Sequence, residues 1–284
     1  MNASILSILY RGSLLSCNYD CSYCPFAKGK DNRESLAQDA AQLTDFVNWV
    51  KQQQRPIRVL FTPWGEAFIR RYYQEAILEL GQMPHVERVA IQTNLSLSNS
   101  AIDRCQNDKL ALWCTYHPSQ TSRDDFLKKC EYLLERKIRF SVGMVGNRDE
   151  LDEIAAMRQS LPPEVYLWIN ANRDEQSDYQ VHELELLKKI DTLFEKNLHL
   201  YSSYGKACRT GSEVISVDGK GNVQRCHFIK QSLGNLYDGS LSFTQAPCTQ
   251  TICDCHIGYI HMPELKLYDE FGDGILERIP TTHS

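Results

Sequence analysis

The sequence predicts an α/β protein with a mainly parallel sheet, followed by a small cysteine-rich C-terminal module. Three observations lead to this fold class. The first two-thirds of the 284 residues alternates strand-like and helix-like stretches six times. The strand-like stretches are apolar on both faces, as expected for strands buried in a parallel sheet. Near residue 200 the helical periodicity ends, and short, turn-rich, cysteine-bearing sequence begins.

Each of the six units joins a strand to a helix through a short link. Ser122 is the predicted N-cap of the fourth helix, and Asp124 and Asp125 suit its first turn. Pro56 and Pro84 follow the first two helices, because proline does not continue a helix. The predicted strands are 5–10, 57–62, 88–93, 110–116, 138–145 and 165–170; the predicted helices are 34–54, 67–82, one after Ser98, one after Ser122, 148–160 and 178–196.

Amphipathic helices between strands that are apolar on both faces imply right-handed crossovers in one parallel sheet. Six units are too few for a full barrel of eight. The pattern leaves two architectures open, which are an open doubly wound sheet and a three-quarter barrel.

The C-terminal third has a different character. "EVISVDGKGNVQRCHFI" at 213–229 predicts two strands joined by a glycine-bearing turn. We therefore divide the chain into a main domain at 1–200, a small module at 201–258 and a tail at 259–284. The module is too small to bury much core alone, so a metal would stabilise it. The tail carries no chemistry that the sequence identifies.

Composition excludes several classes of function. The formal net charge of −5 does not favour binding to nucleic acid. No run approaches the roughly 18 apolar residues of a membrane span. The apolar N-terminus contains Arg11 and continues directly into cysteines, so we interpret it as a first strand rather than a signal peptide. A soluble, cytoplasmic protein is expected.

Eleven cysteines in a cytoplasmic chain indicate metal binding or catalysis rather than disulfides. Their distribution separates two clusters from a scattered remainder. The scattered ones lie in apolar patterns, where a buried thiol usually acts as a small hydrophobic side chain. The N-terminal cluster is Cys17, Cys21 and Cys24; the C-terminal cluster is Cys208, Cys226, Cys248, Cys253 and Cys255; the remainder is Cys105, Cys114 and Cys130.

The N-terminal cluster has the spacing C-x3-C-x2-C within "SCNYDCSYCPF". Three thiolates can hold a [4Fe–4S] cluster and leave one iron without a protein ligand. All three cysteines follow the first strand, and the carboxyl ends of parallel strands are where ligand sites form. The alternative is a zinc site whose fourth ligand comes from elsewhere in the chain.

This motif, with Tyr23 directly before the last cysteine, resembles the signature of the radical S-adenosylmethionine (radical SAM) superfamily. The resemblance implies that the open iron binds S-adenosylmethionine. Reduction of that complex would yield a 5′-deoxyadenosyl radical, which abstracts hydrogen from a substrate. It also implies that Tyr23 lies against the adenine.

Further matches follow successive strands. Trp64-Gly65-Glu66 resembles the family's Gly-Gly-Glu motif, with tryptophan in place of the first glycine. The match implies that Glu66 accepts hydrogen bonds from the methionine ammonium group. "QTNLS" resembles the family's Thr-Asn-Gly segment and contains Asn94, and "CTYHP" ends in His117 at the level where relatives contact SAM or substrate.

The resemblance covers roughly residues 5–170 at the level of motifs, and it extends to the number of strand–helix units, which is six. It implies the family's (β/α)6 partial TIM barrel, which decides between the two architectures left open above. An ordinary turn at Gly65–Glu66 and a structural histidine at position 117 would be the interpretation of each motif taken alone.

The C-terminal cysteines resemble the SPASM and twitch modules of radical SAM enzymes, which carry auxiliary [4Fe–4S] clusters. Five cysteines suit one auxiliary cluster of the shorter twitch kind. The resemblance implies Cys208, Cys226, Cys248 and one of Cys253 or Cys255 as ligands. The alternative is a structural zinc, which the same cysteines with His227 and His256 could hold.

The sequence thus predicts a radical SAM enzyme acting on a peptide or a small biosynthetic intermediate, with an auxiliary cluster that aids oxidation. A reductase such as a flavodoxin or ferredoxin would be its partner, with neither nucleic acid nor membrane involved. No catalytic side chain is identified. The competing hypothesis is a zinc-stapled, non-catalytic binding protein on an α/β scaffold.

Overall fold

Six parallel strands, each followed by a helical segment, form the greater part of the protein. The structure is a computed structural model that describes residues 4–26, 29–173 and 178–283. The strands are β1 (Leu6–Arg11), β2 (Ile57–Phe61), β3 (Val86–Thr93), β4 (Leu110–Thr115), β5 (Arg139–Gly146), β6 (Leu167–Ala171), β7 (Tyr201–Ser202), β8 (Val214–Asp218), β9 (Asn222–Cys226), β10 (Ile229–Asn235) and β11 (Ile252–Cys253).

The helices lie between the strands and in the C-terminal segment. Short 3-10 helices at Arg148–Glu150, Pro263–Leu265, Gly272–Gly274 and Thr281–His283 accompany them. The α-helices are α1 (Arg33–Lys51), α2 (Arg71–Gln82), α3 (Asn99–Cys105), α4 (Arg123–Glu135), α5 (Leu151–Ser160), α6 (Val181–Ile190), α7 (Phe194–Leu198), α8 (His256–Tyr259) and α9 (Leu267–Phe271).

The main sheet has nine strands in the order β10-β9-β8-β1-β2-β3-β4-β5-β6, and β7 pairs with β11 separately. Strands β1 to β6 pair in sequence order and in parallel. The predicted parallel α/β sheet is therefore confirmed. The predicted N-cap of α4 is also present, since Ser122 Oγ accepts a hydrogen bond from the Asp125 amide at 3.1 Å.

Two helix predictions were wrong in part: one helix begins later than predicted, and another is interrupted. The helix predicted at 67–82 begins only at Arg71, because the Glu66 carboxylate accepts the Phe68 amide and holds the preceding segment as a loop. The helix predicted at 178–196 is divided into α6 and α7. Between them the buried Asp191 carboxylate accepts hydrogen bonds from the Ile169 and Leu193 amides, which breaks the helical ladder.

The predicted hairpin at 213–229 forms from β8 and β9, and Gly221 in its turn has a φ of +77°. A positive φ of this size favours glycine. Strand β8 also pairs in parallel with β1, with Ser7 opposite Val214. The hairpin that leads to the C-terminal cysteines thus continues the main sheet beside the strand that leads to the N-terminal ones.

Two apolar cores cover the two faces of this sheet. One lies between the strands and helices α1 to α7. On the other face, inward side chains such as Leu9, Leu60 and Trp113 pack against the C-terminal segment, including Tyr259 and Phe271. The segment predicted as a tail at 259–284 therefore forms half of the second core, apart from residue 284, which lies outside the described residues. None of the helices described here is long and apolar enough to cross a membrane.

Candidate functional site

The three N-terminal cysteines lie on the loop that follows β1, at the carboxyl edge of the parallel strands. All three are free thiols; Cys21 is buried, and Cys17 and Cys24 are half-buried. The Cys17 Sγ accepts a contact from the Tyr19 amide at 3.4 Å. The sequence therefore places three thiols on one loop at the edge where parallel sheets bind ligands.

Two carboxylates hold the backbone just before Cys17. The amides of residues 13–16 donate to them in order. Asp39 of α1 accepts the first two at 2.6 and 3.1 Å, and Asp31 accepts the next two at 2.9 and 2.7 Å. Hydrogen bonds to charged acceptors are stronger than neutral ones. The start of the cysteine loop is thereby attached to α1 and to the segment that precedes it.

The Gly65–Glu66 segment after β2 packs directly against the same stretch. Gly65 N donates to Leu14 O at 3.2 Å, and Glu66 N donates to Ser16 O at 3.1 Å. A Cβ atom at position 65 would lie 2.2 Å from Ser16 O. Only glycine allows this approach of two backbones.

The Glu66 carboxylate is buried and satisfied by protein donors. Its oxygens accept hydrogen bonds from Phe68 N at 3.1 Å, Thr93 Oγ1 at 2.9 Å and Asn94 N at 2.7 Å. Burial raises the pKa of Glu66 to about 7 despite these bonds. The predicted contact between Glu66 and an ammonium group stays a prediction.

Asn94 connects Glu66 to the cysteine loop. Its Nδ2 donates to Asn18 Oδ1 at 3.1 Å and contacts Cys17 Sγ at 3.7 Å. The next residue, Leu95, has a φ of +58°. The resemblance expects glycine at that position, and the backbone adopts a conformation that glycine favours although the residue is leucine.

The two remaining predicted residues, Tyr23 on the cysteine loop and His117 after β4, lie side by side. Tyr23 Oη and His117 Nδ1 are 2.7 Å apart, and the two rings stack with their centroids 6.0 Å apart. Burial lowers the pKa of His117 to about 4, so the imidazole is neutral at pH 7. The structure therefore brings Cys17, Glu66 and Asn94 into one hydrogen-bonded group and joins Tyr23 to His117.

Four of the C-terminal thiols are electrostatic neighbours. Burial raises the pKa of Cys226, and the thiols of Cys208 and Cys248 raise it further. Burial likewise raises the pKa of Cys253, and the thiols of Cys226, Cys208, Cys248 and, last, Cys255 raise it further. These four cysteines come from β9, β11 and the loops before and between them, so tertiary structure assembles the group.

Cys255 has different surroundings. Burial raises the pKa of its thiol, while the guanidinium groups of Arg11 and Arg278 lower it. Its side chain, like that of Cys253, packs against the second core. Cys255 thus differs from Cys253 in the two guanidinium groups that act on its thiol.

Two observations concern the cysteines and other possible metal ligands of the chain. In the part of the chain that the structure describes, no three His, Cys, Asp or Glu side chains converge as ligands of a single metal ion. The three scattered cysteines, predicted to be small buried side chains, are buried: Cys105, Cys114 and Cys130.

Sequence reasoning missed the part that two residues play near the site. Arg11, the last residue of β1, lies 4.5 Å over the Trp64 ring. His227, considered only as a zinc ligand, bonds Thr62 Oγ1 at 3.0 Å and Ser216 Oγ at 2.5 Å. Trp64, which replaces a motif glycine, was the one sequence signal that could have indicated a large side chain beside Arg11.

Comparisons with known proteins identify the fold. No protein-family model and no curated protein matches this chain. Native anSMEcpe with bound AdoMet and Cp18Cys peptide matches at a TM-score of 0.55, with 15% identity over 83% of this chain and 78% of that one. The same protein with bound AdoMet and Kp18Cys peptide gives 0.56 and 14% over 83% and 79%.

Native anSMEcpe with bound AdoMet alone matches at a TM-score of 0.56, with 16% identity over 83% of this chain and 79% of that one. At these identities the likeness concerns the fold. The chain therefore shares its α/β fold with these AdoMet-bound structures.

Proposed function

We propose that this protein is a radical SAM enzyme, with a [4Fe–4S] cluster on Cys17, Cys21 and Cys24 and S-adenosylmethionine on the remaining iron. One observation carries the proposal: three free thiols share a loop that two carboxylates and the Gly65–Glu66 backbone fix at the carboxyl edge of a parallel sheet. When bound and reduced, the cofactor supplies a 5′-deoxyadenosyl radical that takes a hydrogen atom from the substrate.

The donor set suits the cluster chemically. Thiolates are the usual ligands of iron–sulfur clusters, with one cysteine for each iron. Among the described residues, the Cys17 sulfur has long contacts to the Tyr19 amide, Asn94 Nδ2 and Asn18 Oδ1, so it is available as a ligand. The likeness in fold to AdoMet-bound structures also supports the assignment.

The chain's own residues would then position S-adenosylmethionine. Glu66 would accept the methionine ammonium group, and Gly65 keeps the adjoining backbone close to the cysteine loop. Asn94 ties Glu66 to that loop through its main-chain and side-chain bonds. Tyr23 would lie against the adenine, held by its bond to His117.

We further propose that Cys208, Cys226, Cys248 and Cys253 hold an auxiliary [4Fe–4S] cluster. The thiols of Cys208, Cys226 and Cys248 raise the pKa of Cys253, whereas the charges that act on Cys255 come from Asp254, Arg11 and Arg278, and this difference supports Cys253 as the fourth ligand. Four protein ligands leave no open iron, which favours an electron relay from a substrate radical. The C-terminal segment packs on the inner face of the sheet, and this packing is compatible with a (β/α)6 partial barrel.

The substrate in this proposal is a peptide or a small biosynthetic intermediate. A flavodoxin or ferredoxin would deliver the electron, and the enzyme would work in the cytoplasm as an oxidoreductase or maturase. The division into a main domain at 1–200, a twitch-like module at 201–258 and a tail at 259–284 is also part of the proposal.

Anaerobic reconstitution tests the proposal. We expect a brown protein with about eight irons that cleaves S-adenosylmethionine to 5′-deoxyadenosine under dithionite. Replacing Cys17, Cys21 or Cys24 by Ala should abolish cleavage. A colourless zinc protein without cleavage would support the zinc-stapled binding protein instead.

A matched pair tests the auxiliary site. Cys253→Ala should lose about half of the iron while some uncoupled cleavage survives. Cys255→Ala should keep all of the iron. Loss of iron from Cys255→Ala but not from Cys253→Ala would exchange the two assignments.

A further inference from the structure

A groove of about 450 Å³ opens between the end of β1 and the β8–β9 hairpin. Arg11 and Trp64 form one side, and Asp218, Lys220 and Gln224 lie on the other. Arg11 precedes Cys17 by six residues, and the hairpin ends at Cys226. The groove therefore lies between the chain segments that lead to the two sets of cysteines.

The Arg11 guanidinium lines this groove and forms no ion pair with a carboxylate in the part of the chain that the structure describes. Its Nε donates to Thr62 O at 3.0 Å, and its guanidinium carbon lies 4.5 Å from the centre of the Trp64 ring. Within the described ranges, the two Nη atoms have no hydrogen-bond acceptor and no carboxylate within 4.0 Å. Burial lowers the pKa of Arg11 to about 10, which leaves the group charged at neutral pH.

The other polar groups of the groove form no ion pair with Arg11, including Asp218, which lies opposite it in the pairing of β1 with β8. Asp218 is committed to the hairpin turn, where it accepts the amides of Lys220 and Asn222 and the Asn222 Nδ2, each at 2.9 Å. Both ring nitrogens of His227 are engaged by hydroxyl groups. Lys220 adds a second, exposed cation at the rim.

A half-buried guanidinium without an anionic partner is costly, so a ligand that supplies two oxygens would be stabilised there. The planar Nη pair suits a carboxylate or a phosphate in bidentate geometry. The Trp64 ring forms a flat wall beside that position, where a motif glycine would leave the groove open.

We propose that this groove binds an anionic group of the substrate, a carboxylate or a phosphate, on the Nη atoms of Arg11, with Trp64 as its wall and Lys220 at its rim. That the bound anion belongs to a substrate rests on the proposed function. The binding of an anion to the groove can be measured without that function.

Calorimetric titration of the reconstituted protein with sodium phosphate and with sodium malonate, against sodium chloride at equal ionic strength, provides the test. We expect saturable binding of one of them, and the tighter anion indicates a phosphorylated or a carboxylated substrate. Loss of a charge-assisted hydrogen bond corresponds to about tenfold or more in affinity. Arg11→Gln should therefore weaken binding at least about tenfold.

Two further variants set the scale. Lys220→Gln should weaken binding less than Arg11→Gln, because an exposed charge is screened by solvent. Arg71→Gln, which removes an exposed guanidinium of α2 paired with Glu75, should leave the affinity unchanged. A crystal structure with the bound anion should show it on the Arg11 Nη atoms, and this result does not depend on how the variants fold.

Absence of saturable binding by both anions overturns the proposal, as does an anion located elsewhere or an Arg11→Gln variant of unchanged affinity. Production of 5′-deoxyadenosine without substrate is measured on the same preparation. If anions bind at Arg11 while this cleavage fails, the proposed function is wrong and the anion site stands. If cleavage succeeds without anion binding, the groove proposal alone is wrong.

Discussion

At the scale of single residues, Glu66 combines a buried carboxyl group with three protein donors. The donors favour the carboxylate, and burial disfavours it more strongly, so the pKa rises to about 7. An acid whose pKa is higher in the folded than in the unfolded state holds a proton that the unfolded chain has lost. The free energy of unfolding must therefore fall as the pH rises between the two pKa values.

Replacing Glu66 by Gln should remove this part of the pH dependence. In the wild-type chain, Glu66 should lower the free energy of unfolding by about 3 kcal/mol between pH 5 and pH 8, because its pKa is roughly two to three units higher in the folded state. Urea denaturation of the metal-free protein at the two pH values measures it. Glu131→Gln, on the exposed face of α4, serves as the control and should retain the wild-type slope. A wild-type slope in Glu66→Gln would contradict the assigned pKa.

Leu95 shows how one residue can depart from a motif without a change of backbone. Its left-handed conformation costs about 1–2 kcal/mol for a residue with a Cβ atom. Its side chain is 2% exposed, and burying leucine contributes about 1.5–3 kcal/mol. The burial offsets the strain, so leucine can occupy a position where the resemblance expects glycine.

At the scale of elements, helix α1 positions the cysteine loop through Asp39. This carboxylate accepts the amides of Ser13 and Leu14 and the hydroxyl of Tyr72. Asp31, just before the helix, holds the next two amides in the same way. The loop is therefore fixed before any cofactor binds, by side chains from the following element.

Asp39→Ala should release this loop. Two buried amides would lose a charged acceptor, which is expected to lower the free energy of unfolding by about 2–4 kcal/mol. The reconstituted variant should also lose iron from the N-terminal site and keep the iron of the auxiliary site. Urea denaturation and iron analysis measure the two effects.

The matched control for this variant is Asp45→Ala, which removes an exposed carboxylate from the same helix and should change neither quantity. Full iron content and wild-type stability in Asp39→Ala would show that the loop does not depend on α1.

The elements themselves were largely predictable. All six parallel strands lie where apolar runs predicted them, because burial on both faces leaves a strong sequence signal. The start of α2 and the break between α6 and α7 were not predictable. Both depend on buried carboxylates, Glu66 and Asp191, whose partners include residues of other strands. Local periodicity contains no information about such partners.

At the scale of the whole molecule, the C-terminal segment closes the second face of the sheet. Glu277, fully buried, lies 3.4 Å from Arg88 Nε and 3.3 Å from Arg139 Nε. Its main-chain oxygen also accepts the Ser141 hydroxyl at 2.7 Å. The segment thus joins β3 and β5 across a long separation in sequence.

Glu277→Gln should lower the free energy of unfolding by about 3 kcal/mol, because it leaves two guanidinium groups near the core without their carboxylate. Chemical denaturation at pH 7 measures the change. Glu264→Gln removes the exposed partner of Lys206 and should change stability by less than about 1 kcal/mol. Equal effects of the two substitutions would mean that the buried carboxylate does not hold the segment in place.

The sequence by itself determined the parallel α/β class, the two clusters of cysteines and the loop motifs, because each depends on local spacing or strand periodicity. The tertiary structure decided what depends on distant contacts. It placed Cys253 near the thiols of Cys208, Cys226 and Cys248 and placed Arg11 and Arg278 near Cys255. It also put the C-terminal segment on the inner face of the sheet and the Arg11 charge beside a groove. Folding assembles these features from segments that are distant in the sequence, and no local pattern encodes which side chains will meet.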